Sequence, residues 1–119
     1  MNPIEDAIKS HKHSAIVDRY YDFFNYLYPM VINLSGTHRV LRDKTISAML
    51  NQVSLFNEAV KTGQINKLQL ADAGLSTLRE FLRILSNPNV KLISQKQYGT
   101  AMLHLADLSG MMTKWIKER

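Results

Sequence analysis

Lys67-Leu68-Gln69-Leu70-Ala71-Asp72-Ala73-Gly74-Leu75-Ser76-Thr77-Leu78-Arg79-Glu80-Phe81-Leu82-Arg83 has the apolar spacing of a helix packed inside a bundle. Its apolar residues recur at alternating steps of three and four, which places them in one seam. Gly74 costs about 1 kcal/mol relative to alanine inside a helix, but it allows a second backbone to approach. Arg79 and Arg83 lie one turn apart beside the seam and suit an anionic partner. The predicted seam consists of Leu68, Ala71, Leu75, Leu78, Leu82 and Leu85.

Glycine, proline and capping residues divide the chain into four predicted helices. The first runs from about Ser14 to Leu34. The second begins after Thr37 as N-cap and ends near Lys61, before a glycine suited to a left-handed C-terminal position. The third spans Ile65 to Leu85, and Ser94 caps the fourth. Short links favour antiparallel neighbours, so the sequence predicts an all-α, antiparallel up-down four-helix bundle.

The first predicted helix carries two apolar stripes, which is more than one bundle core needs. A deeply buried central helix would explain both, but a four-helix bundle has no central position. We therefore expect self-association through the second stripe, Val17, Phe24, Tyr28 and Val31. The core stripes of the first, second and fourth helices are Ile16, Tyr20, Phe23, Leu27, Met30 and Leu34; Ile46, Met49, Val53, Phe56 and Val60; and Tyr98, Ala101, Leu105, Leu108, Met112 and Trp115.

Length and composition restrict the class of protein. The 119 residues predict a single domain over 1–119, with 1–13 as an N-terminal arm or helix extension. The chain has no cysteine, which excludes disulfides and thiolate metal sites. No apolar stretch is long enough to span a bilayer, and the acidic start lacks a signal-peptide core. A cytoplasmic protein without a membrane contact is expected.

The bundle topology predicts that basic residues collect at one end. The start of the second helix, the end of the third and the start of the fourth share that end, with seven basic residues against two acidic ones. This difference equals the whole formal excess of +5, because the remaining charges cancel. We expect this surface to bind a nucleic acid or an acidic protein, with the candidate residues Arg79, Arg83, Arg39, Arg42, Lys44, Lys91 and Lys96.

The position of these cations separates two explanations. Near a helix C-terminus, as for Arg79 and Arg83, the helix dipole stabilises a cation, so a purely structural role is open. Near a helix N-terminus, a cation opposes the dipole, and free N–H groups already favour anions. Phosphate binding explains that placement better than a solvated face does. Such contacts predict strong salt dependence and weak base preference, and they do not separate RNA from DNA.

The sequence gives no support for catalysis, a cofactor or a metal centre. It has no glycine-rich phosphate loop, no nucleophile elbow and no Glu-x-x-His pair. His11 and His13 are spaced as a metal pair, but no nearby carboxylate completes it. His104 adjoins an apolar stripe and is expected to be partly buried. We expect a non-enzymatic protein.

A set of short strings spread over nearly the whole chain matches one known family. They are Lys67-Leu68, Ala71-Asp72-Ala73-Gly74-Leu75, Leu78-Arg79, Leu82-Arg83, Pro3-Ile4-Glu5, Ile16-Val17, Arg19-Tyr20, Tyr26-Leu27-Tyr28-Pro29, Gln52-Val53 and Leu55-Phe56. Through these strings the chain resembles the Avd (accessory variability determinant) family of diversity-generating retroelements, although the turn at 33–37 lacks the proline associated with the family. The resemblance implies a homopentameric barrel that binds the reverse transcriptase and template RNA of the element and supports mutagenic cDNA synthesis. It also implies that Arg79 and Arg83 contact the reverse transcriptase or its RNA, with the other basic residues of that end extending the surface.

Two other functions remain open at this point. One is a stand-alone four-helix interaction protein, like those encoded in ribosomal-RNA intervening sequences, without a polymerase partner. The other is a purely structural oligomer whose basic end is only solvated. A reverse-transcriptase gene beside this one would favour the Avd-like function over the first, and an absence of nucleic-acid affinity would favour the second.

Overall fold

Four long helices form an antiparallel bundle in a computed structural model that describes residues 2–10 and 14–119. Neighbouring helices along the chain pack together, and the first bundle helix also packs against the last. The described residues contain no strand, so the all-α prediction is confirmed, with helix ends within about two residues of those predicted. The elements are α1 (Pro3–Ser10), α2 (Ala15–Ile32), a 3-10 turn (Gly36–His38), α3 (Arg39–Thr62), α4 (Ile65–Ser86) and α5 (Gln95–Lys117).

The helix ends follow the capping residues, with one exception. The Ser94 hydroxyl accepts a hydrogen bond from the backbone N–H of Gln97, whose side chain accepts one from the Ser94 N–H in return. Gly63 ends α3 at φ 64°, the left-handed conformation that glycine adopts without a steric penalty. The prediction of Thr37 as an N-cap was wrong. Thr37 lies inside the 3-10 turn, and α3 follows His38, whose side chain makes no capping bond.

The core confirms the predicted seam of α4 and corrects that of α3. All six predicted α4 residues are buried. On α3, however, Val60 is 42% exposed, and Ile46 and Val53 are only partly buried. The helix is rotated about its axis so that polar side chains enter the core with their hydrogen bonds satisfied. The buried face of α3 consists of Thr45, Met49, Gln52, Phe56 and Ala59.

A glycine on α4 explains why a glutamine lies inside the α3–α4 seam. The Gln52 Nε2 donates to the Ala71 carbonyl over 2.8 Å in a buried position. A Cβ on Gly74 would collide with the Gln52 Oε1 and lie 2.8 Å from the Leu55 Cδ1. The missing side chain of Gly74 therefore makes the space that the glutamine amide fills.

Tyr20 makes the corresponding buried polar contact between α2 and α3. Its ring is fully buried and packs against Phe23 and Phe56. Its hydroxyl donates to the Met49 carbonyl. Burial raises the pKa of Tyr20 well above its usual value, because the phenolate would be poorly solvated there.

We expect Gly74→Ala to lower the free energy of unfolding by about 1–3 kcal/mol, the usual range for overpacking in a core. Gly99→Ala and Gly110→Ala are matched controls within α5, where an added Cβ meets no atom within 4 Å. Each control should raise stability by up to about 1 kcal/mol through helix propensity alone. Urea unfolding measures all three. Equal stabilisation by the three substitutions would contradict the assigned packing.

Stability should also fall at high pH because of Tyr20. The pKa of Tyr20 in the folded state lies above the unfolded value of about 10, so the folded protein keeps the phenol proton to higher pH. The contribution of Tyr20 to the free energy of unfolding is therefore complete below about pH 10 and is lost as the pH rises above it. In Tyr20→Phe, the decline between pH 9 and 11 should be shallower than in the wild type. Tyr21→Phe is the control, because Tyr21 is exposed. Identical pH slopes in all three proteins would argue against the buried phenol.

Candidate nucleic-acid interface

The two links 33–38 and 87–94 lie at the same end of the bundle. Both α2 and α4 run toward this end, and α3 and α5 start from it. There the Gln95 Nε2 donates to the Ser86 carbonyl, which joins α5 to the end of α4. At the opposite end, the Arg119 guanidinium donates to the Gly63 carbonyl. We call the end with the two links the basic end. It comprises Arg39, Arg42, Lys44, Arg83, Lys91 and Lys96, which the predicted topology had brought together.

Four cations of the basic end are unpaired. Arg39, Lys44, Lys91 and Lys96 are all exposed, and none forms an ion pair or side-chain hydrogen bond within residues 2–10 and 14–119. Arg39 and Lys96 stand in the first turns of α3 and α5, neither of which holds an acidic residue. The Arg39 N–H already donates to the Gly36 carbonyl, and the Ser94 hydroxyl caps α5. The unpaired positive side chains, more than free N–H groups, therefore favour an anion at this end.

Two further cations are paired with the acids of this end. The Arg42 Nε lies 3.0 Å from the Asp43 Oδ1, and the Arg42 Nη1 also donates to the Leu34 carbonyl over 3.3 Å. The Arg83 Nη1 lies 3.2 Å from the Glu80 Oε1 one turn away. Arg42 is partly buried, whereas the exposed Arg83–Glu80 pair contributes only about 0–1 kcal/mol. Arg83, being solvent-exposed, can exchange its carboxylate for a phosphate at little cost.

Arg79 does not belong to the basic end. It lies seven residues before the end of α4, about 10 Å along the helix axis, and it is partly buried. Its guanidinium donates to the Ser109 Oγ in the middle of α5. The sequence grouped it with Arg83 because the two are one turn apart. The structure gives Arg79 a contact between helices inside the bundle.

The link 87–94 presents Lys91 in a strained conformation. Lys91 has φ 52°, the one left-handed non-glycine residue among those described, which costs on the order of 1–2 kcal/mol. The next two N–H groups, of Leu92 and Ile93, both donate to the Leu85 carbonyl, over 2.8 and 3.2 Å. The buried side chain of Ile93 fixes the link to the core. Beside it opens a cleft of about 700 Å³, lined by Ser86, Pro88 and Lys91 to Gln95.

The predicted interface stripe on α2 faces outward in part. Val17, Phe24 and Tyr28 are each partly exposed, and the last two rings are stacked with centroids 5.1 Å apart. Val31 was assigned to this stripe wrongly: it is completely buried inside its own subunit, because α2 turns that position toward α3 and the core. Ile32, an exposed apolar residue one turn after Tyr28, extends the outer side of α2 and was not among the predicted residues.

The described residues hold no group of three histidine or acidic side chains arranged for a metal ion. His104 is partly buried between the rings of Phe23 and Tyr26, as its place beside the apolar stripe predicted. The pair His11 and His13 lies outside the described residues. Within the same ranges, no helix is both long and apolar enough to cross a membrane.

A four-helix scaffold with a charged end and an apolar outer face is the architecture of a helical binding protein. The family model for bAvd-like proteins matches residues 14–119, the entire bundle. The chain therefore belongs to the bAvd-like family, the group that its sequence resembled, and is an Avd-type accessory protein. A comparison with curated proteins gives no match.

Arg79 and Arg83 are expected to differ in their effect on stability. Arg79→Met keeps the aliphatic stem but removes the hydrogen bond to Ser109, and should lower the free energy of unfolding by about 1–2 kcal/mol. Arg83→Met should change it by less than about 0.5 kcal/mol, the usual range for an exposed side chain. Denaturant titrations compare the two. The assignment would be wrong if Arg83→Met proved the more destabilising.

Proposed function

We propose that this protein is a non-catalytic accessory protein of a diversity-generating retroelement. It binds the reverse transcriptase and the template RNA together and supports mutagenic cDNA synthesis. Family membership supports the accessory role. The observation that carries the binding role is the set of four unpaired, exposed cations at the basic end, where both nearby acids are already paired.

The proposed RNA contact uses backbone phosphates. Arg39, Lys44, Lys91 and Lys96 are the primary contacts, because no intramolecular partner has to be released. Arg42 and Arg83 add to them by exchanging a surface carboxylate for a phosphate. None of these side chains is held in a geometry that reads a base edge. Binding should therefore follow shape and charge more than sequence.

The proposed assembly is a homo-oligomer, a pentamer by the family resemblance, that uses the outer face of α2. Val17, Phe24 and Tyr28 are partly exposed apolar groups on this face. Two exposed neighbours, Tyr21 and Ile32, extend it along the helix. An oligomer repeats the basic end once per subunit, and repetition raises the avidity for a long polyanion without any new contact.

RNA affinity should depend steeply on salt and on the basic end. The logarithm of the binding constant falls with log salt by about 0.7–0.9 per phosphate contact. The variant Lys44→Gln/Lys96→Gln should weaken binding and reduce this slope by about 1 per lost contact. Fluorescence anisotropy with a structured RNA between roughly 50 and 300 mM salt measures both.

The matched control for this experiment is Arg19→Gln/Lys117→Gln, which removes the same charge in the half of the bundle opposite the basic end. Equal losses in the two double variants would show that net charge, not the basic end, determines affinity. No binding at low salt would remove RNA as a direct ligand. Co-purification with the reverse transcriptase of the same element tests the second partner, and an RNA-binding protein that never retains the polymerase would be a stand-alone interaction module.

A further inference from the structure

The short helix α1 lies apart from the bundle. Within residues 2–10 and 14–119 it packs against none of the other helices, and no residue from Asn2 to Ile8 is buried. Ile4 and Ile8, one turn apart on one face, are 70% and 69% exposed. The radius of gyration of 16.0 Å exceeds the roughly 13–14 Å of a compact chain of this length, as expected for a projecting element.

The four bundle helices form a unit of their own. The family match covers residues 14–119, which contain all four of them. The N-terminus of α2 is capped within the bundle, where the Ser14 hydroxyl accepts from the Val17 N–H over 3.3 Å. A helix with an uncovered apolar face that adds nothing to its own core indicates a contact outside that core.

An apolar cleft opens at the end of the bundle opposite the basic end. It lies where α2 starts and where α3 and α5 end, and its volume is about 310 Å³. That is roughly twice the volume of a cavity known to hold one benzene molecule, so it has room for two aliphatic side chains. Its lining is largely apolar and consists of Ser14, Ala15, Ile16, Val60, Met111 and Trp115.

The charges around the cleft complement those of α1. Lys61 follows Val60 and Lys114 precedes Trp115 in the chain; both lysines are exposed and lack an ion pair within the described residues. The first turn of α1 holds Glu5 and Asp6, also without an ion pair among the described residues. Asp18 and Glu118 also lie at this end of the bundle, so the charge complementarity to Glu5 and Asp6 rests on the two lysines that adjoin Val60 and Trp115.

We propose that α1 of one copy docks in this cleft of a second copy, with Ile4 and Ile8 against Val60, Met111 and Trp115. We place α1 in the cleft of a second copy because, among the described residues, it packs on no other helix and leaves the cleft of its own subunit open. Each subunit then offers one arm and one cleft at different places, a head-to-tail arrangement that can close into a ring. The proposal rests on the self-association in the proposed function, and it adds a second contact to the α2 face.

The absence of cysteine from the chain permits a direct test by disulfide cross-linking. Tagged Ile8→Cys and untagged Val60→Cys proteins are mixed in the full-length chain and oxidised. A disulfide needs Cα atoms within about 7 Å, so docking should give a cross-linked heterodimer on a non-reducing gel. The matched control pairs Ile8→Cys with Leu103→Cys, since Leu103 is 73% exposed and lies on α5 away from the cleft. The docked pair should cross-link several-fold faster than this control.

Two other outcomes would overturn the proposal. The double variant Ile8→Cys/Val60→Cys reports docking within one chain, and a predominantly intrachain disulfide would make the arm a flap over its own cleft. A rate equal to that of the Leu103 control would mean that α1 does not dock there. Circular dichroism of each variant checks that the bundle remains folded.

Charge and RNA readouts separate this proposal from the proposed function. Lys61→Gln/Lys114→Gln in the Val60→Cys protein should slow cross-linking roughly two-fold for each ion pair lost, whereas Lys44→Gln/Lys96→Gln should not. The Ile8→Ser variant removes an arm contact but leaves the basic end intact. Its RNA affinity is measured above the concentration at which the chain self-associates, so that it depends on the basic end alone. If α1 fails to dock while RNA binding stays intact, only the proposed docking of α1 is rejected, and the proposed function stands.

Discussion

The contact between Gln52 and the backbone around Gly74 sets the geometry of the whole bundle. A buried amide must keep its hydrogen bond, since an unsatisfied polar group in a core costs about 1–3 kcal/mol. Here the bond from the Gln52 Nε2 to the Ala71 carbonyl forms only because α4 has no side chain at position 74. This contact fixes the rotation of α3 about its axis. The rotation in turn turns Lys44 and Arg39 outward at the basic end and leaves Val60 at the edge of the apolar cleft.

The part of the fold that follows from apolar spacing could be predicted from the sequence. The α4 seam, the Ser94 cap and the left-handed Gly63 all appear as expected. The rotation of α3 could not, because a periodicity argument directs glutamine and threonine outward. Thr45 and Gln52 are buried here only because backbone carbonyls accept their hydrogen bonds. The Leu41 carbonyl lies one turn before Thr45 on the same helix, whereas the Ala71 carbonyl lies on α4 and comes near Gln52 only in the folded bundle.

The candidate site likewise contains residues whose position could be predicted from the sequence and residues whose position could not. Topology alone placed the starts of α3 and α5 beside the end of α4, so most of the charged residues could be assigned to one end. Spacing along one helix could not show that Arg79 reaches Ser109 on another, nor that Val31 turns into the core. The apolar cleft was not predicted either. Its wall combines residues from three helices that share no sequence motif.

The unpaired cations have a consequence for how this protein can diverge. Arg39, Lys44, Lys91 and Lys96 hold no other described residue in place, so the fold sets no strong limit on their exchange. Gly74 can gain a side chain only if Gln52 changes as well, because an added Cβ collides with the Gln52 amide and would displace it from the Ala71 carbonyl. Among descendants of this sequence, the charged surface is therefore free to track a changing nucleic acid or protein partner while the seam between α3 and α4 stays the same.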